Sequence, residues 1–158
     1  MMEKNASLYS NITDVRYQTI DHINSVSPGE SEFTRVVNFK SGYDWQRLYR
    51  SPGSASLREE HKVTASGHYF DQKLSLNFPG FSQSNLEGFH YLDNRPLVLK
   101  LTFSDGTVKV MGSLDQPARI NTIFQSSSTT RGTRIDFSCE SSFRCMIHEE
   151  EGGGPGGS

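Results

Sequence analysis

His68-Tyr69-Phe70-Asp71 is where chemistry would most easily begin, because an imidazole and a carboxylate three residues apart are the parts of a general acid/base pair or of a metal site. His61 joins them if residues 57–65 and 68–78 form a hairpin. On an extended strand, however, His68 and Asp71 have opposite parity, and such side chains leave a sheet on opposite faces. The spacing therefore favours polar residues on a half-buried sheet over a catalytic dyad. His90 follows Glu87 by three residues and lies close to Asp93, so the first two could touch on a helix. A second such pair, which a metal centre between helices would need, is missing. The adjacent Glu59 and Glu60 face apart on a strand and make a poor glycosidase pair. There is no G-x-S-x-G elbow. The glycines at 152–157 are interrupted by Pro155 and precede no helix, so they make no phosphate loop. The expectation is a protein that is not an enzyme and carries no cofactor or metal.

One aromatic run interleaves with basic residues, YDWQRLYR at 43–50. Tyr43, Trp45 and Tyr49 share a parity and read as a core stripe. With Arg47 and Arg50 beside them, the alternative is a stacking platform or interface anchor. Cys139 and Cys145 share strand parity but would stand about 20 Å apart on one continuous strand. A bridge would need a bend at Glu140-Ser141-Ser142, so free thiols are expected.

The elements that must position these residues are mostly strands. Of 158 residues 34% are apolar and 11% aromatic, with ten Phe and six Tyr, which suits a folded core. Ser, Thr, Gly and Asn are frequent, and long Leu/Ala/Glu/Lys stretches are absent. Net charge is −2 with no basic tract, so no nucleic-acid recognition is expected. No apolar run approaches a membrane span or a signal core, and cytoplasmic synthesis is expected. The alternation predicts strands at Val15–Ile20, at 33–39, at YDWQRLY pairing back on 33–39, and at 57–65, 68–78, 118–125 and 134–143. The 57–65 strand has two weakly apolar faces and the charges Arg58 to Lys62, which marks it as an edge. Leu86, Phe89 and Leu92 predict one short helix before Pro96. LVLKLTFSDGTVKVM, at 97–111, predicts a hairpin closed by a two-residue type I′ turn at Asp105-Gly106. The expected architecture is mainly β: an antiparallel β-sandwich or barrel of consecutive hairpins with one short α-helix. Residues 1–14 are expected to be a flexible segment, 15–148 one domain, and 149–158 a disordered Gly-rich tail.

The succession DVRYQTIDHI, then FTRVVNFKSGYDWQRLYRSPGSASLREEHKVTASGHYFDQKLSLNFPG, then RPLVLKLTFSDGTVKVMGSLDQPARI and finally RIDFSCES resembles small tail-associated structural proteins of bacteriophages and of prophage or injection-machine clusters. The resemblance spans about residues 15–145 and rests on structural motifs. It implies a non-enzymatic component of a tail or tail-like particle, made in a bacterial cytoplasm. Such a component would assemble with itself into a ring or tube and with other tail proteins. On that reading residues 41–56 make an inter-subunit hairpin, and Tyr43, Trp45, Arg47, Tyr49, Arg50 and Leu57 are the interface candidates. Two other readings stand beside it. One is a stand-alone sandwich module binding carbohydrate or peptide through Trp45 or Tyr69. The other is a small hydrolase built around His68 and Asp71.

Overall fold

The computed structural model describes residues 11–48, 54–78, 83–93, 95–126 and 131–150. Its strands are β1 (Ile12–Thr19), β2 (Ile23–Pro28), β3 (Thr34–Phe39), β4 (Gln46–Arg47), β5 (Ser56–Thr64), β6 (Gly67–Phe78), β7 (Leu97–Phe103), β8 (Val108–Met111), β9 (Arg119–Ser126), β10 (Arg131–Ser141) and β11 (Met146–Glu149). A single helix, α1, covers Gln83–Leu92, and a 3-10 turn at Ile20–His22 links β1 to β2. Two sheets face each other, one ordered β2-β3-β11-β8-β7-β1-β4 and the other β5-β6-β10-β9.

The first sheet cannot be flat. β1 and β2 lie five strand spacings apart in it, or about 24 Å at roughly 4.8 Å each. Only Ile20–His22 connects them, and three residues bridge at most about 15 Å. The sheet must therefore roll until its margins approach, and the side chains bear this out: Ile23 on β2 and Val37 on β3 share one apolar cluster with Val98 on β7 and Val110 on β8. The margins are not hydrogen-bonded to each other as strands, so the result is a sandwich with one rolled sheet and not a closed barrel.

The β7–β8 hairpin is consequently buried on both sides. Leu97, Leu99 and Leu101 point into the main core between the sheets, where Val15, Met111, Leu74, Leu76, Ile135 and Phe137 meet them. Each buried leucine contributes about 1.5–3 kcal/mol. Val98 and Val110 point the other way, into the rolled sheet. The hairpin forms as expected, but its turn differs. Within this turn Gly106 alone has a positive φ, +92°, and no non-glycine residue described does. A type I′ turn would need it at Asp105 as well. Phe103 instead accepts from the Gly106 N–H (3.0 Å) and donates to the Thr107 carbonyl (2.8 Å), giving a three-residue loop with a glycine bulge. Asp105 closes it by accepting from the Thr107 N–H through Oδ1 (2.9 Å).

Other expectations are corrected. The Gln46–Arg47 strand pairs with β1, not with β3. The hairpins are not all consecutive neighbours: β1 pairs with β7, and the unforeseen β11 lies parallel to β3 and antiparallel to β8. Ordered sheet starts at Ile12, three residues earlier than expected, and β11 runs through Glu149, one residue into the expected tail. The edge position of β5 is as the alternation indicated.

Gly112 shows how tightly the two sheets are linked. Leu97 and Ala118 exchange two backbone hydrogen bonds of 2.8 Å, joining β7 to the entrance of β9. Gly112 passes this bridge with φ +98°, and a Cβ there would lie 3.1 Å from both the Ala118 nitrogen and the Leu97 oxygen. Gly88 in α1 has no such constraint, since a Cβ would enter open space. Gly112→Ala is therefore expected to cost at least about 1 kcal/mol, whereas Gly88→Ala gains roughly 0.5–1 kcal/mol, as read from urea unfolding midpoints.

Candidate functional site: an imidazole pair on a projecting edge

Strands β5 and β6 form a hairpin in which Leu57 pairs with Leu74, His61 with Phe70 and Val63 with His68. Paired residues share a face, so Leu57, Glu59, His61 and Val63 lie on the side of Leu74 and Leu76, which are buried in the main core. β10 covers β6 only from Phe70 onward. Beyond that point the core-facing side of the hairpin runs out past the sandwich. Val63 is 75% exposed there, and His61 and His68 are exposed with it.

The two histidines meet. His61 Nε2 lies 3.1 Å from His68 Nδ1, with the rings nearly perpendicular at 78°. Phe70 packs against His61 at 5.0 Å, and the Arg144 guanidinium sits 4.6 Å over the Phe70 ring. Arg144 is held in turn by Glu59 (3.7 Å). Glu59 is drawn inward, where Oε2 accepts from the Cys145 N–H (2.6 Å) and from Gln72 Nε2 (3.1 Å). Gln72 Nε2 also donates to the Phe143 carbonyl (2.9 Å), tying the loop before β11 to the base of the hairpin. The sequence placed His61 near His68. It did not show that Glu59 and Gln72 would anchor the loop that carries Arg144, because that contact joins segments some 70 or more residues apart.

His68 and Asp71 lie on opposite faces. Asp71 pairs with Lys62 (3.4 Å) on the outer side, so the two do not form a dyad. Glu59 and Glu60 also part, and Glu60 lies 3.2 Å from Arg58. Glu87 and His90 are exposed on α1. Among the described residues no three metal-ligating side chains cluster.

The remaining interface candidates sit elsewhere. Tyr49 and Arg50 lie outside the described residues. Leu57 is half-buried on β5 against the main core. Tyr43, Trp45 and Arg47 gather where the rolled sheet's margins approach. Tyr43 stacks flat on His22 at 3.8 Å, and Gln18 Nε2 donates to the Asp44 carbonyl (2.7 Å). Arg47 lies 3.5 Å from Asp14. Trp45 packs edge-on against Phe39 (5.1 Å) and His148 (6.2 Å), with the Lys100 ammonium 5.7 Å over its ring. Trp45 thus anchors a contact within the chain.

Both cysteines are free and buried. Burial, then Glu140 and Asp71, push the Cys139 thiol up to about 11, and burial with Glu59 pushes Cys145 higher still. Both stay as unreactive thiols at neutral pH.

The side chain of His148 is only 7% exposed, and burial followed by the nearby Lys100 lowers its pKa, against an opposing pull from Glu150. The folded protein thus holds this imidazole neutral at a pH where the unfolded chain, near about 6.5, already binds a proton. The stability this contributes is complete above that value and is lost as pH falls below it toward the lower folded pKa. Urea midpoints measured from pH 8 down to 5.5 should fall more steeply for the wild type than for His148→Gln; equal slopes would refute the assignment. Compared with family models, with curated proteins and with solved structures, the chain matches none.

Proposed function

We propose that this protein is a non-enzymatic structural component that acts by assembly, and that the assembly is a phage tail or tail-like particle. The particle is what the resemblance of residues 15–145 implies. Assembly itself is carried by one observation: the β5–β6 hairpin extends core-facing positions beyond the sandwich, on a sheet edge nine residues long. An exposed valine flanked by imidazoles and Phe70, beside unpaired strand backbone, is a surface that a neighbouring sheet would cover. The charges Arg58, Glu60 and Lys62 on the outer face restrict which strand can do so.

A carbohydrate or peptide module built on Trp45 is less well supported, since Phe39, His148 and Lys100 already surround that ring. A hydrolase built on His68 and Asp71 lacks the needed geometry.

Mass photometry and negative-stain imaging of the purified chain test the proposal. Dimers, rings or stacked tubes are expected, and Val63→Lys should weaken the association about tenfold or more without lowering the unfolding midpoint, because Val63 packs little within the fold. A strict monomer at high concentration would overturn it.

A further inference from the structure

We infer that the β5 edge is closed by the β5 edge of a second copy, antiparallel about a two-fold axis through His61, so that two small sheets become one. The inference rests on the assembly reading and names its partner and the register of the contact.

The backbone limits the choices first. On antiparallel strands, alternate residues turn both N–H and C=O toward the same neighbour. Asn77 of β6 turns both toward the β5 side: its N–H donates to Ser54 Oγ (3.2 Å), and its carbonyl accepts from the same hydroxyl (3.5 Å). Stepping back along β6 by twos, Ser75, Lys73, Asp71 and Tyr69 do likewise, and their partners are Ser56, Arg58, Glu60 and Lys62. The residues between these, Leu57, Glu59, His61 and Val63, therefore turn their backbone groups outward, where the sheet ends. The large sheet rolls to the side of Val98 and Val110, away from the small one, and leaves β5 as that end. Opposed residues exchange both hydrogen bonds only when both belong to the outward set. A two-fold axis must then pass through a residue of β5, not between two.

Side-chain charge then selects the residue. With the axis at His61, Glu60 of each copy meets Lys62 of the other on the outer face, while Arg58 meets Thr64. An axis at Glu60 opposes the two Glu60 carboxylates and sets Arg58 on Lys62. An axis at Lys62 sets Lys62 on Lys62. An axis at Glu59 pairs Arg58 with Glu60 but opposes the two Glu59 carboxylates. Centring on His61 alone makes opposite-charge pairs with no like-charge pair directly opposed. On the inner face the same register places Val63, 75% exposed in one chain, opposite Glu59 and diagonally beside Leu57 of the copy. The exposed valine gains an apolar neighbour. The far edge of the small sheet, β9, fits less well: its one charged residue is Arg119, so only Glu60 would find a counter-charge there.

Sedimentation velocity on the full chain, with two single variants and their mixture, tests this. Glu60→Lys and Lys62→Glu should each weaken self-association about tenfold, because each turns both cross-copy pairs into like charges. Mixed in equal amounts, the two variants should recover wild-type association, since Lys opposes Glu at both pairs of the mixed dimer. A variant that fails to fold cannot give that recovery. Val63→Lys has no such rescue: its ammonium would meet a Glu59 carboxylate already held by Arg144, Gln72 and the Cys145 N–H, and the contact with Leu57 would be lost. Single cysteines read the register. His61→Cys should link to its own copy on mild oxidation, since opposed Cα atoms about 5.5 Å apart suit a disulfide, while Glu60→Cys and Lys62→Cys should not. Assemblies that ignore the charge variants, a mixture no stronger than its components, or a link at residue 60 or 62 instead of 61 overturns the inference and leaves the assembly reading standing. A strict monomer at high concentration overturns both.

Discussion

The fold depends on burying a single hairpin from two sides. β7 alternates leucine with Val98 and Lys100, and the leucines alone would satisfy an ordinary sandwich strand with one wet face. Here the second face is covered as well, because the chain before and after it rolls around. Val98 and Val110 are each nearly inaccessible, at 0% and 3% exposure, although their sheet has only one sheet facing it. They are covered by the same sheet's own margin, through Ile23 and Val37. The three-residue connection after β1 enforces the roll, and the apolar residues that it brings over the hairpin stabilise it.

A rolled sheet brings its margins together, and the polar residues at that seam follow from this. Gln18 is buried and spends both ends of its amide there: Nε2 on the Asp44 carbonyl and Oε1 on the Thr19 N–H (2.9 Å), with His22 Nδ1 at 3.0 Å. Lys40 donates its N–H to the His22 carbonyl (3.0 Å), and Tyr43 lies flat on the His22 ring. A buried amide left without partners would cost about 1–3 kcal/mol, so the loop at 40–45 is held where the Gln18 side chain needs it. Trp45 then closes the end of the second core, with Lys100 and His148 as its polar neighbours. That is why His148 is kept neutral: the roll encloses it next to a lysine.

What the sequence made legible follows the range of the interactions. Local alternation and turn chemistry placed β5, β6, β7, β8 and β10, identified β5 as an edge from Arg58 to Lys62, and located α1 from Phe89 and Leu92. The turn at Ser104-Asp105-Gly106 differs in type from the sequence expectation because Asp-Gly fits two loop lengths, and only the register of Phe103 with Thr107 decides between them. Long-range pairing was not legible. β11 is four residues long, and its place is set by a parallel contact with β3 more than a hundred residues earlier. Local alternation alone pairs residues 43–49 back on 33–39; Gln46–Arg47 pairs with β1 instead, since Leu48 is buried in the main core and its N–H bonds the Val15 carbonyl (2.9 Å). At the candidate site, His61 and His68 were readable as neighbours. Their exposure was not, because it depends on where β10 and the opposite sheet stop.

The two sheets treat their margins differently, and that contrast bears most directly on function. The rolled sheet ends in a two-residue strand and in a strand finishing at Pro28, and its margins are stitched by Gln18 and by the stacked His22 and Tyr43. These are ways of preventing further pairing. The smaller sheet ends in β5, which has nine residues, no proline and an uninterrupted register with β6. Its outer face carries charges of both signs, which discourage an arbitrary partner but match a strand of complementary order. Its inner face carries His61 and Val63, with His68 beside Val63 on β6, where a purely protective edge would carry more charge. A chain that closes one sheet so thoroughly has the means to close the other. The open β5 edge, with its core-facing side uncovered, is the feature on which the proposed assembly rests.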